Sequence, residues 1–172
     1  MPLEIEEDNL DVVLKSVDSL GDNVLQIGWF ENLKYDDDTP VAEVAATNEF
    51  GDPTENIPPR PFMRPAADNH QNEWLDLIEH FSGMVLDGEA DMIDALEVLG
   101  LVASGDIRKA ITEVHKPPLS WITIQNRLEV RADKTTIGKI DKPLIFEGIL
   151  YNSVSYMIND DSVKSPYKTG GG

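Results

Sequence analysis

Cysteine is absent from the 172 residues. That excludes a disulfide framework and any zinc site built on thiolates, and it suits a reducing compartment. No apolar run approaches the roughly 18 residues a membrane-spanning helix needs, so the chain is expected to be soluble, with no membrane partner. The opening MPLEIEEDNL is acidic where a secretory leader is basic, so synthesis in a cytoplasm is expected. Internal repeats are lacking. Positive charge is scarce: 14 Lys+Arg stand against 32 Asp+Glu, a net of −18. A protein that grips nucleic acid needs a basic face to displace counterions, and this composition argues against that class.

The acidity is uneven. Residues 1–59 carry 15 acidic side chains and 2 lysines, residues 60–105 carry 9 and 2 arginines, and residues 106–172 carry 8 against 10 basic ones. Three readings follow. The charge keeps the protein in solution; or it forms a surface beside DNA that must slide and not stick; or acidic and basic ends meet between copies. Arg60 and Arg64 are the only cations between Lys34 and Arg108.

Periodicity supplies the elements. Leu10, Val13, Leu14, Val17 and Leu20 sit at helical spacing in an acidic N-terminal helix within residues 1–22. Asn23–Phe30 reads as a strand with Leu25, Ile27 and Trp29 on one face. Thr39 and Pro40 read as the cap and first position of a short helix that Gly51 ends. Pro58, Pro59 and Pro61 force residues 57–60 into an extended form, and Pro65 can stand in the first turn of a new helix. That helix is long, with Trp74, Leu77, Ile78, Phe81, Met84 and Val85 as its stripe. Gly88 marks a turn. A second long helix carries Ile93, Leu96, Leu99, Ile107, Ala110, Ile111 and Val114, weakened in isolation by Gly100 and Gly105. Pro117 and Pro118 end it, and Ser120 caps a helix over WITIQNRLEV. A polar, partly basic loop follows from Arg131. Leu150, Val154, Tyr156 and Ile158 alternate as a closing strand. The expected fold is α+β: a small, mainly antiparallel sheet packed against several helices, one or two of them long. A single domain spans residues 23–160, and residues 161–172 read as a flexible tail.

Chemistry is hard to find. The three histidines, His70, His80 and His115, form no HExxH, and no acidic loop has calcium spacing, so no metal or cofactor is expected. GDIRKAI lacks the elements of a phosphate loop, and YNSVSY lacks the glycine-flanked elbow of a serine hydrolase. A hydrolytic site among His70, Glu73 and His80 is the weakest alternative. A stronger one, motivated by the net charge, is an acidic decoy that mimics DNA and occupies a nucleic-acid-binding protein. A binding or assembly role, without enzymatic activity, is favoured.

One segment stands out. ATNEFGDPTENIPPRPFMRP, residues 46–65, holds five prolines and both of the isolated arginines. Little entropy remains for such a segment to lose, so it is stiff. Arg60 and Arg64 can pair with carboxylates of their own subunit or of a neighbour. Phe50 and Phe62 can anchor the segment to the core or to a second copy.

This segment, from VAEVAATNEFG through IPPRPF to the following Arg-Pro, resembles the pattern of tailed-bacteriophage virion-morphogenesis proteins, the head–tail joining, neck or tail-completion components. KPPLSWITIQNR and KPLIFEGILYNSVSY resemble two further pieces of that pattern, in the same order. The chain departs from it at Trp121 and at Phe146 and Glu147, and the acidic N-terminal segment lies outside it. The resemblance implies a structural virion protein, assembled in the host cytoplasm, that forms a ring, typically six-fold, at the junction of head and tail. Its implied partners are further copies of itself, the portal-side connector or adaptor, and the tail tube or tail terminator, with the sheath nearby in contractile phages. Genomic DNA would pass through the lumen without specific binding. Asn48, Glu49, Phe50, Arg60, Phe62 and Arg64 are the candidate subunit- or partner-interface residues.

Overall fold

The computed structural model describes residues 23–30, 33–130, 141–145 and 148–159. The segments expected from sequence to be an N-terminal helix (1–22), a basic loop (131–140) and a flexible tail (161–172) lie outside them. In chain order the elements are β1 (Leu25–Gly28), α1 (Val41–Phe50), α2 (Met63–Leu86), α3 (Met92–Glu113), α4 (Trp121–Val130), α5 (Ile149–Asn152) and β2 (Ser155–Ile158). The two strands pair antiparallel, Leu25 opposite Ile158 and Gly28 opposite Ser155. The fold is therefore α+β, with a small antiparallel sheet and two long helices.

A two-stranded ribbon is marginal by itself and needs an apolar cover. α3 provides it. The helix is continuous through Gly100, and the reason for that glycine is the sheet. A Cβ there would lie 2.5 Å from Cδ2 of Tyr156, so only a bare backbone lets the ring lie flat on the helix. Such a glycine costs a helix about 1 kcal/mol relative to alanine, and the ring packing offsets that loss. The covered face of α3 runs through Met92, Ala95, Leu96, Gly100, Ala103, Ser104, Ile107, Arg108 and Ile111. Ile93, expected on the core side, is exposed instead. The small residues Ala95, Gly100 and Ala103 mark the line of closest approach, which a count of large apolar residues misses. Arg108 is buried on the same face and donates from Nη2 to the carbonyl of Val154.

α3 spans two apolar clusters. Its N-terminal half meets Val85, Tyr156 and Ile158, with Ile78 and Phe81 of α2 alongside. Its C-terminal half meets Val41, Ala45, Phe62, Ala66, Leu144, Leu150 and Val154. α2 packs against α3 along most of its length, and Trp74 ties the two together by donating from Nε1 to Oδ2 of Asp106 at 2.8 Å. Between them Gly88 takes the positive φ of a turn, and Asp91 caps α3 by accepting from the Ile93 N–H at 2.7 Å.

The closing run is not one strand. Gly148, at φ +79°, opens a single helical turn, α5, which carries Leu150. Only Ser155–Ile158 is extended, and Ser155 is buried alongside Tyr156 and Ile158. Both faces of this short strand are covered, so the expected alternation from Leu150 onward does not hold. The start of α1 also shifts by one residue. Pro40 occupies the cap position, while the Thr39 N–H bonds Oδ1 of Asp37 at 3.1 Å.

α4 begins as expected, with the Thr123 N–H donating to Oγ of Ser120 at 3.2 Å. Its tether to the body is Arg127, which donates to the carbonyls of Lys142 and Pro143 at 2.7 and 3.0 Å. No other element packs broadly against it. Among the described residues, no helix is long and apolar enough to cross a membrane.

Candidate functional site

The segment that stood out in the sequence folds into a joint between α1 and α2. α1 ends at Gly51, whose N–H donates to the Thr47 carbonyl at 2.8 Å with φ at +77°. The glycine is required twice over. Its backbone is left-handed, and a Cβ would stand 2.8 Å from the Pro59 nitrogen and 2.9 Å from the Ile57 carbonyl oxygen. Asp52 and Ile57 then exchange backbone hydrogen bonds at 2.9 and 2.8 Å, closing a small loop. Within it the Asp52 carboxylate accepts from the hydroxyl and the N–H of Thr54, which hold it below its ordinary range.

The chain then runs back along the end of α1. The Arg60 N–H reaches the Asn48 carbonyl at 2.6 Å, and the Asn48 side chain donates to the Val44 carbonyl at 2.8 Å. The Arg60 side chain is buried. It donates from Nε to the carbonyl of Pro117 at 2.9 Å and from Nη2 to that of Pro118 at 3.2 Å. Burial lowers its pKa from the usual guanidinium value. Arg60 thus joins the proline segment to the segment that leads from α3 to α4.

Glu49 is the centre of the joint. Its side chain is only 6% exposed, against 60% for that of Arg64. Oε2 accepts the N–H groups of Phe62 and Met63 at 2.7 and 2.9 Å, and Oε1 accepts that of Arg64 at 3.2 Å. These belong to the cap and first two positions of α2, whose N–H groups have no partner within a helix. The next position is Pro65, which has no N–H to satisfy. The first intrahelical bond follows, from Ala66 to the Phe62 carbonyl at 3.1 Å. One carboxylate and one proline therefore account for every orphan donor at this end of α2. The negative charge also lies where the helix dipole favours it.

Arg64 completes the arrangement. Nε donates to Glu49 Oε1 at 2.9 Å and Nη2 to the Glu49 carbonyl at 3.1 Å. Its guanidinium carbon lies 5.0 Å from the centre of the Phe50 ring, within cation–π range. Burial by itself would raise the Glu49 carboxyl pKa. The Arg64 guanidinium and the three N–H groups outweigh it and hold the carboxyl below its ordinary range.

The six candidate residues therefore converge on one place. Glu49, Arg60 and Phe62 are buried, with Phe62 edge-on to Trp29 at 5.5 Å. The Trp29 indole in turn donates to the Leu150 carbonyl at 2.9 Å. Phe50 and Arg64 lie on the outside, Phe50 at 66% exposure. Both arginines have hydrogen-bond partners within the chain. Sequence reasoning named Glu49 without its role, and missed Trp29 and the carbonyls of Pro117 and Pro118 as partners. The bond from Arg64 to Glu49, with Pro65 next to it, had a signal: an acid at the end of one helix and an Arg-Pro at the start of the next.

His70, Glu73 and His80 do not come together as a trio, whereas His70 and His115 line one groove with Asp106. Nδ1 of His70 lies 2.9 Å from Oε2 of Glu73, and its ring stacks on Trp74. His80 stands apart, against the edge of Phe81. Among the described residues, no cluster of three or more His, Cys, Asp or Glu side chains could hold a metal ion. An open groove of about 1150 Å³ runs beside the joint, between Asn48, Ile57 and Arg60 on one side and Ile122, Thr123 and Arg127 on the other. Its two guanidiniums donate to backbone carbonyls. What the joint can do is mechanical: it fixes the angle between α1 and α2. Comparison with protein-family models, with curated proteins and with solved structures returned no match in any of the three.

Proposed function

We propose that this chain is a structural virion protein that assembles with copies of itself into a ring at the junction of a phage head and tail. The ring would join the portal-side connector to the tail tube or its terminator and let genomic DNA through. The observation that carries this reading is the joint. The run that resembles the neck-protein pattern, Asn48 to Pro65, forms one bonded unit in which Glu49, Arg60, Phe62 and Arg64 each have a defined partner. A subunit of a closed ring must hold its internal angles, because a small error per copy prevents closure. A stiff, fully bonded joint suits that demand. Phe50 and Arg64, exposed beside it, are placed where an adjacent copy or the connector can reach them. The acidic character of the chain suits a lumen that repels the phosphate backbone.

The test is genetic and physical together. Removing the gene from its phage is expected to leave filled heads and finished tails unjoined, and the purified protein is expected to form closed oligomers. Normal virions without the protein would sink the reading. A strictly monomeric protein that competes with DNA for a basic partner would support the decoy instead.

A further inference from the structure

A buried charge in a folded chain ordinarily has a counter-charge, because dipoles alone seldom repay what leaving water costs. Glu49 follows that rule and has Arg64. Arg60 does not. It is only 7% exposed, and among the described residues no carboxylate lies within ion-pairing distance of it. Its side-chain partners are two carbonyls. Burial lowers its pKa, and no acid stands against that effect.

A guanidinium carries its N–H groups on a planar frame with two usable edges. Nε and Nη2 form one edge, and the carbonyls of Pro117 and Pro118 occupy it at 2.9 and 3.2 Å. The other edge pairs Nη1 with the second proton of Nη2, and it has no acceptor among the described residues. Arg60 borders the open groove beside the joint, and Nη1 is not enclosed, so this free edge faces the groove. Two parallel N–H groups at the bottom of an opening are the shape that grips a carboxylate.

The surroundings favour the same ligand. Pro118, held by Nη2, leads directly into α4. At the start of that helix, Oγ of Ser120 serves the Thr123 N–H and its carbonyl serves that of Ile124. The Trp121 and Ile122 N–H groups have no acceptor among the described residues. Ile122 and Thr123 line the groove, so the positive end of the helix dipole opens on it. The same groove has Asp37 and Glu55 on its exposed rim. Their charges are screened by water, yet they tip the choice toward a singly charged carboxylate and away from a phosphate dianion.

We propose that the free edge of Arg60, together with the amino end of α4, binds a carboxylate at the bottom of this groove. Its source is either a small free acid or an Asp or Glu side chain of a second copy, in a chain with 32 acidic residues. The site stands whether or not copies close into a ring.

The experiment titrates the isotope-labelled full chain with sodium acetate, with sodium chloride at equal ionic strength as control. It follows the Arg60 Nε–H resonance, assigned through its own side-chain correlations. Acetate should shift this signal saturably, and chloride should not. Arg60→Lys keeps the charge but not the fork, and should need about tenfold more acetate for the same rise in melting temperature. An equal response would mean that acetate acts elsewhere, and would overturn the proposal. If the variant does not fold, the wild-type titration decides alone. A signal that moves with protein concentration, without acetate, identifies a second copy as the source. A signal that moves only with acetate identifies a free acid. Acetate and chloride acting alike, with no dependence on protein concentration, would overturn the site.

Discussion

The joint at Glu49 and the helix α4 are opposite ways of placing a helix. At the joint, α2 starts from a buried carboxylate that binds three of its N–H groups and a guanidinium. α4 has a hydroxyl cap and one arginine tether, and it turns Trp121 and Ile122 to solvent. The joint is satisfied by the chain's own atoms, whereas α4 carries apolar surface that no other described element covers. The difference separates surface that the described fold uses from surface that it leaves exposed. It can be broken or sharpened by substitution at both ends.

The largest effect is expected at Glu49. Glu49→Ala leaves three N–H groups without their acceptor at the start of α2, and should cost about 3 kcal/mol of stability, measured by urea unfolding. Glu49→Gln keeps an acceptor oxygen and should cost visibly less. Arg60→Ala comes next, at about 2–3 kcal/mol, because a buried guanidinium and its two charge-assisted bonds to the Pro117 and Pro118 carbonyls are lost together. If Arg60→Ala instead abolishes assembly at unchanged melting temperature, the residue belongs with α4 and not with the joint.

Acid should separate the two regions as well. The folded Glu49 carboxyl titrates lower than the unfolded one, so its contribution is complete above about pH 4.5 and is lost as pH falls through the depressed folded value. Stability measured from pH 6 to 3 should fall more steeply for the wild type than for Glu49→Gln. Equal slopes would show that the carboxylate is not the anchor its geometry suggests. Arg64→Ala should cost about 1 kcal/mol or less, since its side chain is largely solvated and its pairing with Glu49 is screened. The smallest effect belongs to α4: Trp121→Ser should change subunit stability by less than about 0.5 kcal/mol. A large loss there would mean that the indole is covered within the subunit.

Much of this architecture was legible from sequence where the signal is local. The stripe of α2, the Ser120 cap, the Gly51 stop and the extended prolines all depend on neighbours within a few residues, and all are found in the structure. What was not legible depends on partners far along the chain. Gly100 looked like a weak point of α3 and is the seat of the Tyr156 ring. Leu150 fitted the alternation of a strand and lies in a helical turn, because the left-handed Gly148 redirects the backbone. At the candidate site the residues were visible but their connections were not. An abundance of acids hid the one that mattered, and nothing local reveals that the Arg60 guanidinium ends on two proline carbonyls.

Pro65 has a consequence for how the longest helix comes apart. A helix normally frays at both ends, because the amides of its first turn exchange partners with water. Here three of those amides are held by Glu49 and the fourth does not exist. α2 should therefore unwind in one direction only, from Leu86 back toward Met63. Deuterium uptake along it should form a one-way gradient, with the slowest amides at the end where most helices are fastest.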